Sequence, residues 1–359
     1  MRLAHDGLGW RGIFSAVGFS LAVATAFVVL LGVVFLPHEA ALLLEPPHVS
    51  VRQCVVGPSG QDVVSLLWTM PCRGSGGSRR LLTMGRLGGS FVTPPAWQHL
   101  HATCAEREGS RLLVGDLSGN LWALDLENPQ QPPAALARQP DGGVVELVLA
   151  GDLLVSRSGQ RVFAWEAAGG AARWQRSEPG LACLASDAAG GALFFGTERG
   201  EVVEIDPQTG MPLRTICQVA TPVVAIAVHP HGRQLAVLDD EGYVRLVNRA
   251  TGATQWCRQR EAKPGGARVA VFSPCGRFLA TSAGEGLRRL IVWDVASGNR
   301  RLQLDGHRGA ILGAAFQGDD RLVSWGTDGT IRTWSIHRRT SGQVCRLAGV
   351  AAAARGDSS

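Results

Sequence analysis

The chain has 359 residues, 45% of them apolar and 18% charged, with 46 glycines and a formal net charge of +5. That apolar content excludes an intrinsically disordered chain and is enough for a large core, while the glycines point to many turns. Eight cysteines without a CxxC pair or a CxxCH exclude the usual structural-zinc spacing and covalent haem attachment.

Residues 13–36 form an uncharged apolar run of 24 residues. As a helix rising about 1.5 Å per residue it covers the roughly 30 Å hydrocarbon layer, so a transmembrane signal-anchor helix is predicted there. A cleaved signal has an apolar region of only about 7 to 15 residues and a small-residue cleavage site. Arg2 and Arg11 precede the run and Glu39 and Glu45 follow it, so the 1–12 flank is predicted to be cytoplasmic. The rest of the chain would then be extracytoplasmic, in the periplasm of a Gram-negative-type bacterium. Residues 37–48, with Pro37, Pro46 and Pro47, are predicted to be a stiff linker.

From residue 49 to 348 the pattern is short alternating strands separated by turns. LHATCAE, RLLVGDL and NLWALDL are followed by VVELVLA, LLVSRS and RVFAWEA, then LACLAS, ALFFGT and EVVEID, then VVAIAVH, QLAVLD and YVRLVN. Aligned on hairpin glycines Gly119, Gly159, Gly200, Gly242, Gly286 and Gly329, the copies recur at intervals of 40, 41, 42, 44 and 43 residues. An upstream copy is found by laying VRQCVVGPSGQDVVSLLW over VAVFSPCGRFLATSA, so that Pro58 meets Pro274 and Gly60 meets Gly276. Seven copies of this length predict an all-β, seven-bladed β-propeller. Either 343–347 or 41–44 could supply the outer strand that completes the ring, and 349–359 are predicted to be a disordered tail.

The last copy, GHRGAILGAAFQGDDRLVSWGTDGTIRTWSIHRR at 306–339, is the fullest. Its Gly306-His307 start, Asp328-Gly329 turn and Trp334 followed by a small polar residue resemble the WD-repeat family, in a membrane-anchored, bacterial type. Trp293-Asp294 is the one literal WD among the closing pairs. The resemblance implies a structural hydrogen-bond tetrad in which Asp328 orients His307, His307 bonds Ser324, and Ser324 receives the Trp334 ring proton. His307, Ser324 and Asp328 could alternatively form a nucleophilic triad, although their places match the structural network slot by slot. The other blades lack most of these residues and are expected to rely on packing. GNLWALDLE, GEVVEIDPQTG and RWQRS are more weakly similar to quinoprotein-like propellers, which would imply an exported enzyme or cofactor-binding protein.

Cys54, Cys104 and Cys183 fall on inner strands as small core residues, Cys217, Cys257 and Cys345 on outer strands, and Cys72 and Cys275 on turns, so no disulfide is expected. His99, His101, His229 and His231 lack the carboxylates of a metal site and are expected to be solvated. No cofactor, metal or small-molecule substrate is predicted.

The function predicted is a membrane-tethered, non-catalytic protein-interaction scaffold. A docking patch for a protein partner is predicted from Arg258, Arg260, Lys263 and Arg268 in the connection between blades five and six, Arg288 and Arg289 in the next hairpin, and Arg308. Arg79 and Arg80 of the first blade extend it. Such a patch would attract an acidic protein. A basic chain also places arginines on loops for solubility alone. The predicted compartment and the lack of aromatics interleaved with the arginines disfavour nucleic acid, and none is predicted as a partner.

Overall fold

The computed structural model describes residues 48–57, 62–70, 79–140, 142–187, 191–259, 269–336 and 341–346. The chain divides into two compact units. Residues 1–47 with 71–77 form one and lie outside the described residues, so the predicted transmembrane helix, its flank and most of the linker do too. Among the described residues no helix is long and apolar enough to cross a membrane. The second unit, 48–70 with 78–359, carries the fold.

That fold is seven four-stranded antiparallel sheets, each built from four consecutive strands, which is the predicted seven-bladed propeller. Blade 1 is His48–Val56, Asp62–Met70, Arg79–Arg86 and Phe91–Val92; blade 7 is Ile311–Gln317, Arg321–Gly326, Thr330–Ser335 and Ser341–Arg346. The first strand therefore starts one residue before the expected boundary. Outside the strands, the only regular elements among the described residues are 3-10 turns at Pro95–Trp97 and Glu285–Leu287.

Local chemistry accounts for the repeat. All six aligned hairpin glycines have positive φ, from 58° at Gly159 to 90° at Gly242, a conformation that side chains with a Cβ resist. The middle strands alternate apolar residues between the two faces of each blade. Leu112 and Val114 of blade 2 pack with Val64 and Leu66 of blade 1, and Leu113 and Leu121 pack with Leu154 and Phe163 of blade 3. Each interface between neighbouring blades is thus a separate apolar layer.

In several blades the polar member of the closing pair caps the turn that leads into the outer strand. Asp206, Asn248 and Asp294 accept backbone N–H bonds from Gln208, from Ala250 and Thr251, and from Ser297. These are Asx-type turns, so the acid or amide of the pair is required locally rather than for chemistry.

Ring closure is settled by the outer strand of blade 7. Ser341–Arg346 pairs with Thr330–Ser335, so blade 7 is completed from its own end of the chain. Blade 1 then meets blade 7 through side chains: Val49, Val51, Leu67 and Phe91 pack with Val323, Trp325 and Ile331. No strand is exchanged among the described residues.

Candidate functional site

In blade 7 the four residues singled out from sequence lie in one chain of hydrogen bonds. His307 Nδ1 is 2.9 Å from Asp328 Oδ2, His307 Nε2 is 2.8 Å from Ser324 Oγ, and the Trp334 indole N–H donates to that same Oγ at 2.8 Å. Asp328 also accepts from the Thr330 hydroxyl at 2.7 Å and from the Arg308 backbone N–H at 2.8 Å. Burial alone would raise the Asp328 pKa, but the His307 hydrogen bond and charge, with the Thr330 and Arg308 donors, outweigh it and hold the carboxyl well below its usual range. Ser324 is completely buried and His307 nearly so. A nucleophile has to meet its substrate, and this hydroxyl is enclosed and engaged on both sides. The arrangement ties two strands of the blade, and the turn between them, to the segment that enters it.

Contrary to expectation, other blades keep parts of the same network. In blade 3 the Trp165 indole N–H donates to Ser156 Oγ at 2.9 Å, and Ser156 donates to Gln139 Oε1 at 3.0 Å, with Gln139 standing where blade 7 has histidine. Blade 6 retains the last link, from Trp293 N–H to Thr281 Oγ1 at 2.9 Å. Blade 2 substitutes a carboxylate: Asp116 accepts from the Trp122 indole at 2.9 Å and from Asn120 and Ser118. In blade 5 Asp239 pairs with Arg245.

A second recurring device joins neighbouring blades. On the outer strand of blade 3, the Trp174 indole N–H donates to Pro207 O at 2.7 Å and Arg176 donates to Gly210 O at 3.1 Å, both in the outer turn of blade 4. On the outer strand of blade 5, Trp256 donates to Val295 O at 2.8 Å and Arg258 to Gly298 O at 3.0 Å in the outer turn of blade 6. Each acceptor glycine lies against the donor indole, leaving no room for a Cβ.

The predicted docking patch is described in part. The Arg258 guanidinium is engaged by the carbonyls of Gly298, Cys257 and Ser297 and belongs to the tie between blades. Arg289 is ion-paired with Asp305 at 2.8 Å. Arg288 and Arg308 are both exposed and lie at the same end of blade 6, because Arg289 is in register with Asp305. Arg260, Lys263 and Arg268 lie outside the described residues.

The histidine expectation also changes. His229 is buried, with Nε2 3.1 Å from Gly276 O, and burial holds its pKa below the ordinary value despite that bond. Its role is to seat the first turn of blade 6. Burial pushes the Cys104 thiol up to about 12 and Cys217 to about 11, and raises Cys54 as well, so these are protonated packing residues. Cys54, Cys104, Cys183, Cys217, Cys257 and Cys275 are free thiols. Among the described residues no group of three or more metal-ligating side chains converges.

An arrangement that sequence reasoning missed lies between blades 1 and 2. Arg52 sits 4.2 Å over the Trp68 ring and Arg80 5.7 Å from its centroid. The Trp68 indole nitrogen is buried without a hydrogen-bond partner. These residues border a cavity of about 280 Å3 whose other walls include Thr103, Leu117 and Val145. Burial and the charge of Arg80 lower the Arg52 pKa. The only hint in the sequence was Arg80 beside a tryptophan-bearing strand, since the placement of Arg52 depends on a strand bulge.

Comparison with known proteins agrees with this fold. Residues 97–222, spanning blades 2 to 4, match the family described as outer membrane protein assembly factor BamB. Residues 298–335 match the WD domain, G-beta repeat family. The SIR4-interacting protein SIF2 of Saccharomyces cerevisiae is 31% identical over 72 residues, which is 20% of this chain and 13% of that protein. The U3 small nucleolar RNA-associated protein 4 homolog of Mus musculus is 27% identical over 156 residues, 41% of this chain and 22% of that protein. The chain thus spans less than a quarter of the length of either relative. A chain in the crystal structure of the mitotic checkpoint complex superposes with a TM-score of 0.59 at 15% identity, over 70% of this chain and 78% of that one, which is a likeness of fold. The WD-domain match and the two relatives support a WD-repeat propeller family.

Proposed function

We propose that this chain is a non-catalytic protein-interaction scaffold, tethered to a membrane through residues 13–36 and presenting its propeller on the extracytoplasmic side. The observation that carries the reading is the closed tetrad of blade 7, in which the residues best suited to chemistry are buried and satisfy one another. The function that remains for such a ring is to hold exposed loops rigidly. Proteins similar to this chain include one named for its interaction with SIR4 and a chain from a multiprotein checkpoint complex, which favours protein partners. Because fold alone does not fix function, that support is by analogy.

The compartment rests on the uncharged run at 13–36 and the arginines before it. Cys54, Cys104 and Cys183 are buried in three separate blades and cannot pair with one another, while Cys257 and Cys275 are exposed thiols.

Affinity purification from native membranes, with identification of what co-purifies, tests the reading. A reproducible protein partner is expected, together with protease sensitivity of the propeller in spheroplasts. A bound redox chromophore in the absorbance spectrum of the purified protein would instead favour a quinoprotein-like enzyme, and protection of the propeller from protease would refute the orientation.

A further inference from the structure

We propose that the cavity bordered by Arg52, Trp68 and Arg80 is a docking site for an acidic peptide segment of a partner protein. A carboxylate would sit between the two guanidiniums and accept the Trp68 N–H, and an adjacent aliphatic side chain would rest on Leu117 and Val145. The proposal rests on the scaffold reading and names the site and chemistry of its partner.

Four observations converge. First, Arg52 and Arg80 flank one indole, and neither has a carboxylate partner among the described residues, whereas Arg86, Arg111, Arg157 and Arg214 all do. Two like charges held on one ring repel each other, and an anion between them removes that cost. Second, the Trp68 N–H is buried and unpaired, a donor for which the folded chain supplies no acceptor. The indoles of Trp122, Trp165, Trp174, Trp256, Trp293 and Trp334 all reach one, whereas those of Trp97 and Trp325 also lack one, so it is the two guanidiniums beside the ring that set Trp68 apart.

Third, Leu117 and Val145 at the rim are 50% and 53% exposed, unusual for large apolar residues in this fold. Charge beside exposed aliphatic surface suits a peptide better than an inorganic anion or a sugar.

Fourth, the backbone aims Arg52 deliberately. The pairing of the first two strands skips one residue in blades 1, 2, 4, 5 and 7, leaving Arg52, Thr103, Ala182, Val224 and Leu312 as bulge residues. Bulges re-aim a side chain relative to the ladder. Among these five positions blade 1 alone carries a charge, and that guanidinium lies over Trp68.

The test uses the full chain in detergent and fluorescein-labelled peptides of alternating leucine and acid, Leu-Asp-Leu-Glu-Leu, beside the amide version Leu-Asn-Leu-Gln-Leu. The acidic peptide is expected to bind and to weaken as salt rises, while the amide peptide binds at least tenfold more weakly. Arg52→Gln with Arg80→Gln should cost at least tenfold in affinity. Trp68→Phe, which keeps the ring but removes the donor, should cost severalfold. Arg288→Gln with Arg308→Gln should leave binding unchanged. Thermal midpoints within a few degrees of the parent establish that the variants fold.

Equal binding of acidic and amide peptides, or parent-like affinity after Arg52→Gln with Arg80→Gln, would overturn the proposal. So would tighter binding of a phosphoserine peptide or of phosphatidylglycerol vesicles, which would assign the pocket to phosphate. Partner capture from native membranes separates the two levels of argument. If the double-arginine variant captures the same partner as the parent, the scaffold reading stands and this pocket is not its site. If the parent captures none, the scaffold reading itself fails.

Discussion

The indole N–H of Trp334 donates to Ser324 Oγ at 2.8 Å, while the indole nitrogen of Trp325, one residue past that serine, is buried with no partner. The two rings belong to the same blade, yet their N–H groups have opposite consequences. Replacing Trp334 by Phe strands a buried hydroxyl and a histidine, and should destabilise by about 1–3 kcal/mol. Replacing Trp325 by Phe removes a donor that already lacks an acceptor, so it should be far less costly and close to neutral. Thermal denaturation of the two variants in parallel checks the contrast, and equal losses would mean that the network contributes nothing beyond ring packing.

The tetrad also sets an acid limit. Asp328 has a folded pKa held below its unfolded value near 3.9. A carboxylate of this kind contributes stability that is fully present above the unfolded pKa and is lost as pH falls through the folded one. Unfolding free energy should therefore be flat from this source above about pH 5 and fall below about pH 4. Asp328→Asn should be destabilised at neutral pH and show a shallower acid limb in denaturant titrations.

Glu106, on the inner strand of blade 2, behaves in the opposite sense. Burial pushes its carboxyl up to about 7. Because the folded pKa lies above the unfolded value near 4.3, its contribution is most favourable below that value and is lost as pH rises toward 7. The side chain retains some exposure by surface area, which moderates the penalty. Glu106→Gln should raise the thermal midpoint relative to the parent at pH 8 more than at pH 5, and an equal difference at both would show that this carboxyl ionises freely.

The ties between blades predict an effect at a distance from any polar network. A Cβ at Gly298 would lie 2.7 Å from the Trp256 ring, and φ there is +66°. Gly298→Ala should cost about 1–3 kcal/mol through overpacking and backbone strain. Gly169→Ala, where a Cβ meets nothing within 4 Å, should be near neutral. Urea denaturation of both variants measures the difference.

Much of the fold was legible because its repeat is enforced locally. Each aligned hairpin glycine has positive φ, so a spacing read from glycines alone located the blades. The Gln139 network could have been found too, since Gln139 precedes Ser156 by 17 residues as His307 precedes Ser324, and only the change of residue type hid it. The ties between blades were harder to see. Trp174 with Arg176, and Trp256 with Arg258, show a common Trp-x-Arg spacing, but their acceptors lie in the following blade, and blade-by-blade periodicity carries no information about neighbours. For that reason Arg258 read as a loop charge when it is an anchor. The Arg52 pocket was invisible for a different reason: strict alternation places Arg52 by its parity, and a bulge overrides parity.

The most direct test of the account is native mass spectrometry of the complex isolated gently from its source cells. The account predicts this protein together with the mass of a protein partner, released as salt is raised. The chain alone with a small-molecule increment, and no protein partner at any salt concentration, would contradict it.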